Sequence, residues 1–309
     1  MALIPRTDLD VFGLCLGGNV FGWTANRDES FTVLDAYTAA GGNFIDSADV
    51  YMAAAPGNSG GESETIIGEW LAAREGKRDD IVVATKVGKF PGLDNLRPET
   101  IQIAAENSLK RLGVETIDLY YAHFDDPETP LAETLGAFGE LIVAGKVRHV
   151  AASNYSAARL TEALETSERE GLPRYVALQP HYNLMERDYE KEQGPVCEPE
   201  DIACFPYYAL AKGFLTGKYR PGGERIDSVR AKGAAEYLDE RGERMLSALD
   251  EIAATHGVAP AAVAVAWLRE QPTVLAPIAS ARTEDQLGPL LAAATLDLPS
   301  DELAQLTAI

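Results

Sequence analysis

The chain has 309 residues, 46% hydrophobic and 24% charged, the balance of a soluble globular protein with a sizeable core. With 48 acidic against 27 basic residues its formal net charge is −21, which argues against nucleic acid or an anionic membrane surface as partner. Cys15, Cys197 and Cys204 form no CxxC pair, no apolar core follows Met1, and no apolar run is long enough to span a bilayer. We therefore expect a cytoplasmic protein without a disulfide framework.

In chain order, Val11 to Leu16 reads as a strand ending at Gly17-Gly18, and Phe31, Leu34, Tyr37 and Thr38 then fall at helical spacing. Behind Gly41-Gly42, Phe44-Ile45 is a short buried strand that stops at Asp46, with Tyr51 in the loop beyond. A helix over Glu64 to Arg74 carries Ile67, Trp70 and Leu71 on one face. Ile81 to Thr85 is a strand running into Lys86. A helix from Pro98 to Leu112 stops at Gly113, and a strand from Ile117 to Ala122 ends at His123.

The second half repeats the alternation. Thr129-Pro130 opens a helix that ends at Gly145, since proline at a first turn loses no hydrogen bond. Val147 to Ala152 is a strand ending at Ser153-Asn154, Ser156 opens a helix to Arg169, and Val176 to Leu178 is a strand ending at Gln179. Ile202 to Phe205 leads to Tyr207 and a long glycine-bearing loop. Helices cover Ala231 to His256, with a break near Arg241-Gly242, and Pro260 to Glu270. Val274 to Ile278 is the last strand, and helices follow from Glu284 and Asp301. The charge run Glu186 to Glu192 reads as a solvated helix face.

Eight strands, apolar on both faces and each followed by a helix, imply a parallel sheet covered by helices, and eight is the count of a closed (β/α)8 barrel. We expect one α/β domain over residues 1–309. A doubly wound sheet with a second domain is the runner-up, weakened because no GxGxxG follows the first strand. The stretch Gly213 to Lys218 is one residue short of a phosphate loop. His149, His181 and His256 have no ligand spacing with cysteines or carboxylates, so no metal site is expected.

A barrel gathers the loops after its strands at one face, where chemistry sits. Asp46, Lys86, His123, Ser153-Asn154, Gln179 and Tyr207 stand at successive strand ends, one β/α unit apart. With these the chain resembles the aldo-keto reductases. The resemblance covers nearly the whole sequence: Asp46-Ser47-Ala48 with Tyr51, Gly61 to Glu64, Thr85-Lys86, and Asp118-Leu119-Tyr120 before His123. It continues through Gly145 to Arg148, Ser153-Asn154-Tyr155, Gln179 with Tyr182-Asn183, and Leu215 to Tyr219. Tyr208-Ala209 stands where the family usually has Ser-Pro, and Pro289-Leu290 where it usually has Glu-Asn.

The resemblance implies NADPH-dependent reduction of an aldehyde or ketone, with a catalytic tetrad on Asp46, Tyr51, Lys86 and His123. Reduction needs a proton for the developing alkoxide. Tyr51 is the candidate acid, and a nearby ammonium, Lys86, is expected to lower its pKa from about 10. Asp46 would pair with Lys86, and His123 would donate a hydrogen bond to the carbonyl oxygen. On the cofactor side the resemblance places Ser153, Asn154 and Gln179 on the carboxamide of NADPH or NADP+ and Tyr207 on the nicotinamide ring. It places Leu210 and Lys212 on the pyrophosphate, and Ser280 and Arg282 in the 2′-phosphate segment Pro277 to Thr283, with Gln286 a further cofactor-binding residue. Thr283 to Gln286 has capping-box spacing, which would start a helix just past Arg282. Phe21, Trp23 and Phe124 are the candidate walls of the substrate pocket. The physiological substrate and oligomeric state stay open. So do two alternatives, a dedicated keto-sugar or sugar-nucleotide reductase and an NADPH-binding regulatory or redox-sensing partner protein.

Overall fold

A computed structural model describes residues 1–74, 76–220, 222–223, 226 and 228–309. Eight parallel strands form one sheet: β3 (Cys15–Gly17), β4 (Phe44–Asp46), β5 (Val82–Val87), β6 (Ile117–Ala122), β7 (Val147–Ser153), β8 (Tyr175–Gln179), β9 (Ala203–Cys204) and β10 (Ile278–Ala279). They run in chain order, with β10 beside β3. The ends meet through Cys204, whose amide donates to Thr273 O (2.8 Å) and whose carbonyl accepts from Leu275 N (3.2 Å). Ile278 N donates to Pro206 O at 2.9 Å. The sheet therefore closes into the expected (β/α)8 barrel.

The outer ring contains α1 (Arg27–Ala39), α2 (Glu62–Ala72), α3 (Pro98–Leu112), α4 (Leu131–Val143) and α5 (Ala157–Glu170). A short α6 (Gly194–Cys197) and α7 (Ala231–Ala235) precede α8 (Glu240–His256), α9 (Pro260–Arg269), α10 (Glu284–Ala293) and α11 (Ser300–Thr307). Local chemistry sets their ends. Asn26 and Glu29 form a reciprocal capping box at the start of α1. Pro98 opens α3, and Gly113, at φ 63°, closes it. Between these ends Ile101, Ala104, Ala105, Leu109 and Leu112 form the buried stripe.

The core has two layers. One lies between strands and helices and includes Trp70 and Trp267, both fully buried. The other fills the barrel with Cys15, Phe44, Leu119, Tyr121 and Phe205, and it also takes in Ile4, Leu9 and Val11. Those three belong to an N-terminal hairpin, β1 (Ala2–Leu3) against antiparallel β2 (Asp10–Val11), which stoppers the lower end of the barrel.

Several expectations need correction. Val11 lies in this hairpin, and the first barrel strand starts only at Cys15. The break before α8 falls at residues 236–239, where the Asp239 side chain accepts from Gly242 N and caps the helix. The charge run is no helix face: Asp188–Glu190 is one 3-10 turn with Tyr189 buried and Arg187 paired to Glu190 at 2.7 Å. Among the described residues no single helix is long and apolar enough to cross a membrane, and none of their His, Cys, Asp and Glu side chains cluster in threes to hold a metal.

Candidate active site

Strand register assembles the centre of the site. Asp46, the last residue of β4, pairs with Ala84 of β5, so Lys86, two residues on, points into the barrel from the same side as Ala84. Both side chains are buried, Lys86 at 0% and Asp46 at 1% exposure. The ammonium lies 2.8 and 2.7 Å from the two Asp46 oxygens, 2.6 Å from Ser47 O and 2.6 Å from the Tyr51 hydroxyl oxygen. Tyr51 donates its own proton to Asp46 Oδ2 at 2.8 Å. Gln179 Nε2 donates to Asp46 Oδ1 at 2.9 Å, so the carboxylate is satisfied on every side. The His123 ring stands edge-on to Tyr51, 6.2 Å between centroids.

Burial dominates the electrostatics. It pushes the Tyr51 phenol well above its ordinary pKa, and the negative charge and hydrogen bond of Asp46 push the same way. The expectation that Lys86 lowers this pKa is therefore corrected: desolvation first, and then the Asp46 carboxylate, outweigh the ammonium even though it lies slightly closer to the phenol oxygen, and Tyr51 is a neutral phenol. Burial lowers the Lys86 pKa against the opposing pull of Asp46. His123 is held well below its usual value by burial and by the positive charges of Lys86 and Lys89, so its imidazole is neutral. Its Nδ1 is buried without a hydrogen-bond partner among the described residues. An orphaned acceptor is better tolerated than an orphaned N–H, so the proton belongs on Nε2.

A cavity of about 600 Å³ opens over this centre. Asp46, Tyr51, His123, Phe124, Ser153, Asn154, Gln179, Tyr207, Leu210, Lys212, Ser280, Arg282 and Gln286 all line it, with Lys86 buried beneath. Two expected residues are absent from the wall. Phe21 is fully buried, drawn inward by its bridge to Ala25, and Trp23 stands partly exposed outside the cavity. Val20 and Thr24 line the cavity from that loop instead.

Beside the centre, Tyr207 donates to Asn154 Oδ1 at 2.8 Å, and its ring stacks on His181 at 5.3 Å with an 11° tilt. Asn154 Nδ2 donates to His123 O, and Ser153 Oγ donates to Gln179 O. Farther out, Lys212 pairs with Glu236 at 2.7 Å, and Ser280 Oγ donates to Asn19 Oδ1 at 2.7 Å. Half of the anticipated capping box forms: Thr283 Oγ1 accepts from Gln286 N at 3.4 Å. The Gln286 side chain overshoots the cap and accepts from Arg282 N at 3.1 Å.

Besides Val20 and Thr24, the wall residues that escaped sequence reasoning include the polar Asn19, Lys218, Ser228 and Arg230. Lys218 closes the near-miss phosphate loop, whereas Arg230 follows a long loop with no periodic pattern to place it. Among the described residues the wall carries the cations Lys212, Lys218, Arg230 and Arg282, the first of them paired with Glu236, and the acids Asp46 and Asp285. On a chain of net charge −21, this stretch of wall is a local reversal of sign.

The Aldo/keto reductase family model matches residues 13–309. The chain is 32% identical to Protein tas of Escherichia coli over 99% of its own length and 96% of that protein. It is 31% identical to Norsolorinic acid reductase stcV of Emericella nidulans, over 98% of its length and 79% of that protein. Against Aryl-alcohol dehydrogenase GME11368 of Pestalotiopsis microspora the figures are 29%, 98% and 80%. The closed barrel, the polar cluster at the ends of its strands and a family match across almost the entire sequence together make this chain a member of the aldo/keto reductase family, oxidoreductases acting on carbonyl groups.

Proposed function

We propose that the protein reduces an aldehyde or ketone to the alcohol with NADPH, Tyr51 giving the proton. The observation that carries this reading is the Tyr51 hydroxyl held between Lys86 and Asp46 at the floor of a cavity whose outer wall is cationic. That wall fits the cofactor: Tyr207 offers a ring for the nicotinamide, and Asn154 and Gln179 offer amides for its carboxamide. Lys212, Lys218, Arg230 and Arg282 offer positive charge for the phosphates. Leu290 and Pro289, inside α10, offer an apolar edge for adenine.

Bound there, the cofactor supplies the hydride to the carbonyl carbon. His123 donates its Nε2 proton in a hydrogen bond to the carbonyl oxygen, orienting it and stabilising negative charge as it develops. The Tyr51 hydroxyl turns its proton from Asp46 to that oxygen and completes the alcohol. Lys86, already on the phenol oxygen, stabilises the phenolate left behind, and Asp46 keeps the ammonium in place. The raised pKa of Tyr51 suits this order, because the phenol keeps its proton until the alkoxide, a stronger base, demands it.

NADPH oxidation followed across a panel of aldehydes, ketones and keto-sugars tests the reading. Turnover with at least one carbonyl class is expected. A chain that binds NADPH yet oxidises it with none would overturn it.

A further inference from the structure

Two large aromatic side chains stand partly in solvent in the cavity wall, Phe124 at 36% exposure and Tyr208 at 39%. Phe124 follows β6 and Tyr208 follows β9, three strands farther round the barrel, so the rings occupy different sides of one mouth. Phe124 lies beside His123, 5.2 Å between ring centroids. Tyr208 meets Tyr207 edge-on at 5.2 Å.

Packing alone does not account for Tyr208. Its φ of 54° lies in the left-handed region, costly for a bulky side chain. Two hydrogen bonds to its carbonyl, from Asn183 Nδ2 (3.0 Å) and Ala211 N (2.7 Å), hold the backbone there. The strained backbone thus keeps a ring at the cavity mouth instead of in the core. Across from it, the exposed Lys89 places its ammonium 4.2 Å over the Phe124 ring, and its charge reaches His123. The cations of the cavity wall all come from the chain after β9, whereas Lys89 follows β5 and stands apart from them.

We propose that Phe124 and Tyr208 clamp the flat ring of an aromatic carbonyl substrate, and that Lys89 selects those bearing an anionic substituent such as a carboxylate. With the carbonyl between Tyr51 and His123, the ring extends outward past Phe124, and a substituent on its far side comes within reach of Lys89. The clamp rests on the carbonyl-reduction reading and adds the substrate class. The wall cations Lys212, Lys218, Arg230 and Arg282 stand on the side given to the cofactor phosphates, and Lys89 gives the carbonyl side a cation of its own.

The test compares 4-carboxybenzaldehyde, benzaldehyde and cyclohexanecarbaldehyde in the wild type and in Lys89→Met, Phe124→Leu and Tyr208→Gly. Glycine suits the left-handed backbone, so the last variant should fold. Lys89→Met is expected to lower kcat/KM for the carboxylate about fivefold, with benzaldehyde little changed. Phe124→Leu and Tyr208→Gly are expected to lower it for both aromatic aldehydes about fivefold more than for the cyclohexyl one. Equal losses across the three substrates would overturn the clamp. Calorimetry with benzoate, which cannot be reduced, separates the two readings. Benzoate binding weakened by Lys89→Met in a protein that reduces no carbonyl sinks the reductase and keeps the clamp. No benzoate binding, in a protein that does reduce carbonyls, sinks the anionic selection.

Discussion

Lys86 Nζ lies closer to the Tyr51 oxygen, at 2.6 Å, than to either oxygen of its ion-pair partner Asp46. Phenol and ammonium are therefore one unit, and single changes to it should not add. Tyr51→Phe is expected to reduce kcat by several orders of magnitude while NADPH quenching of protein fluorescence persists. The double variant with Lys86→Met should lose little beyond the worse single one. A Tyr51→Phe protein with half its normal turnover would remove the proton donor from the scheme.

Arg282 and Arg230 line the same cavity, and the Arg230 pKa is lowered first by burial and further by the positive charge of Arg282. Two cations left facing each other are relieved by a phosphate between them. Arg282→Ala should weaken NADPH by about 1.5 kcal/mol, the low end for a charged hydrogen bond because the side chain is exposed, and spare NADH. Equal losses for both cofactors by isothermal titration would show that Arg282 reads no 2′-phosphate.

Asp49 is an acid at 1% exposure whose carboxylate oxygens have no partner among the described residues. Burial first, then the negative Glu64, push its pKa up to about 7, against Arg111 and Lys86. An acid raised in the folded state binds more protons there than when unfolded. Stability from this group is thus fullest below about pH 4 and falls as the pH rises to about 7. Asp49→Asn should therefore stabilise the protein by roughly 2 kcal/mol more at pH 8 than at pH 5. Urea midpoints with the same increment at both pH values would contradict the assignment.

Asp118 sits at the opposite end of the barrel from the chemistry, accepting from Val83 N at 2.9 Å and pairing with Arg78 and Arg148. Asp118→Ala strands the Val83 N–H and takes one partner from each guanidinium, Arg148 keeping Asp8 and Arg78 keeping Ile81 O and Thr116 O, and should cost about 2 kcal/mol of stability with kcat unchanged. A kcat loss larger than about threefold, in protein shown by circular dichroism to be folded, would break this separation of ends.

Trp23 gives a control. Because it lies outside the cavity, Trp23→Ala should leave kcat/KM within about twofold for small and bulky carbonyl compounds alike. A selective gain with bulky substrates would put Trp23 back in the wall.

The barrel was legible because each long strand is an apolar run that stops at a polar residue, and those stops are the residues the cavity gathers. The N-terminal hairpin was not, since two-residue strands contain no period to detect. Phe21 misled because an aromatic in the first loop looks like a pocket wall until a local bridge turns it inward. The pKa of Tyr51 misled for another reason: sequence names its neighbours, but only the fold reveals how completely they are dried.

The hairpin has one more consequence. Among the described residues, Ile4, Leu9 and Val11 fill one end of the barrel and make it a cup and not a tube. Gln179 lies at the floor of that cup and Phe124 and Tyr208 at its rim. With the base of the cup filled, whatever leaves the floor retraces the way it came, past the same two aromatic rings.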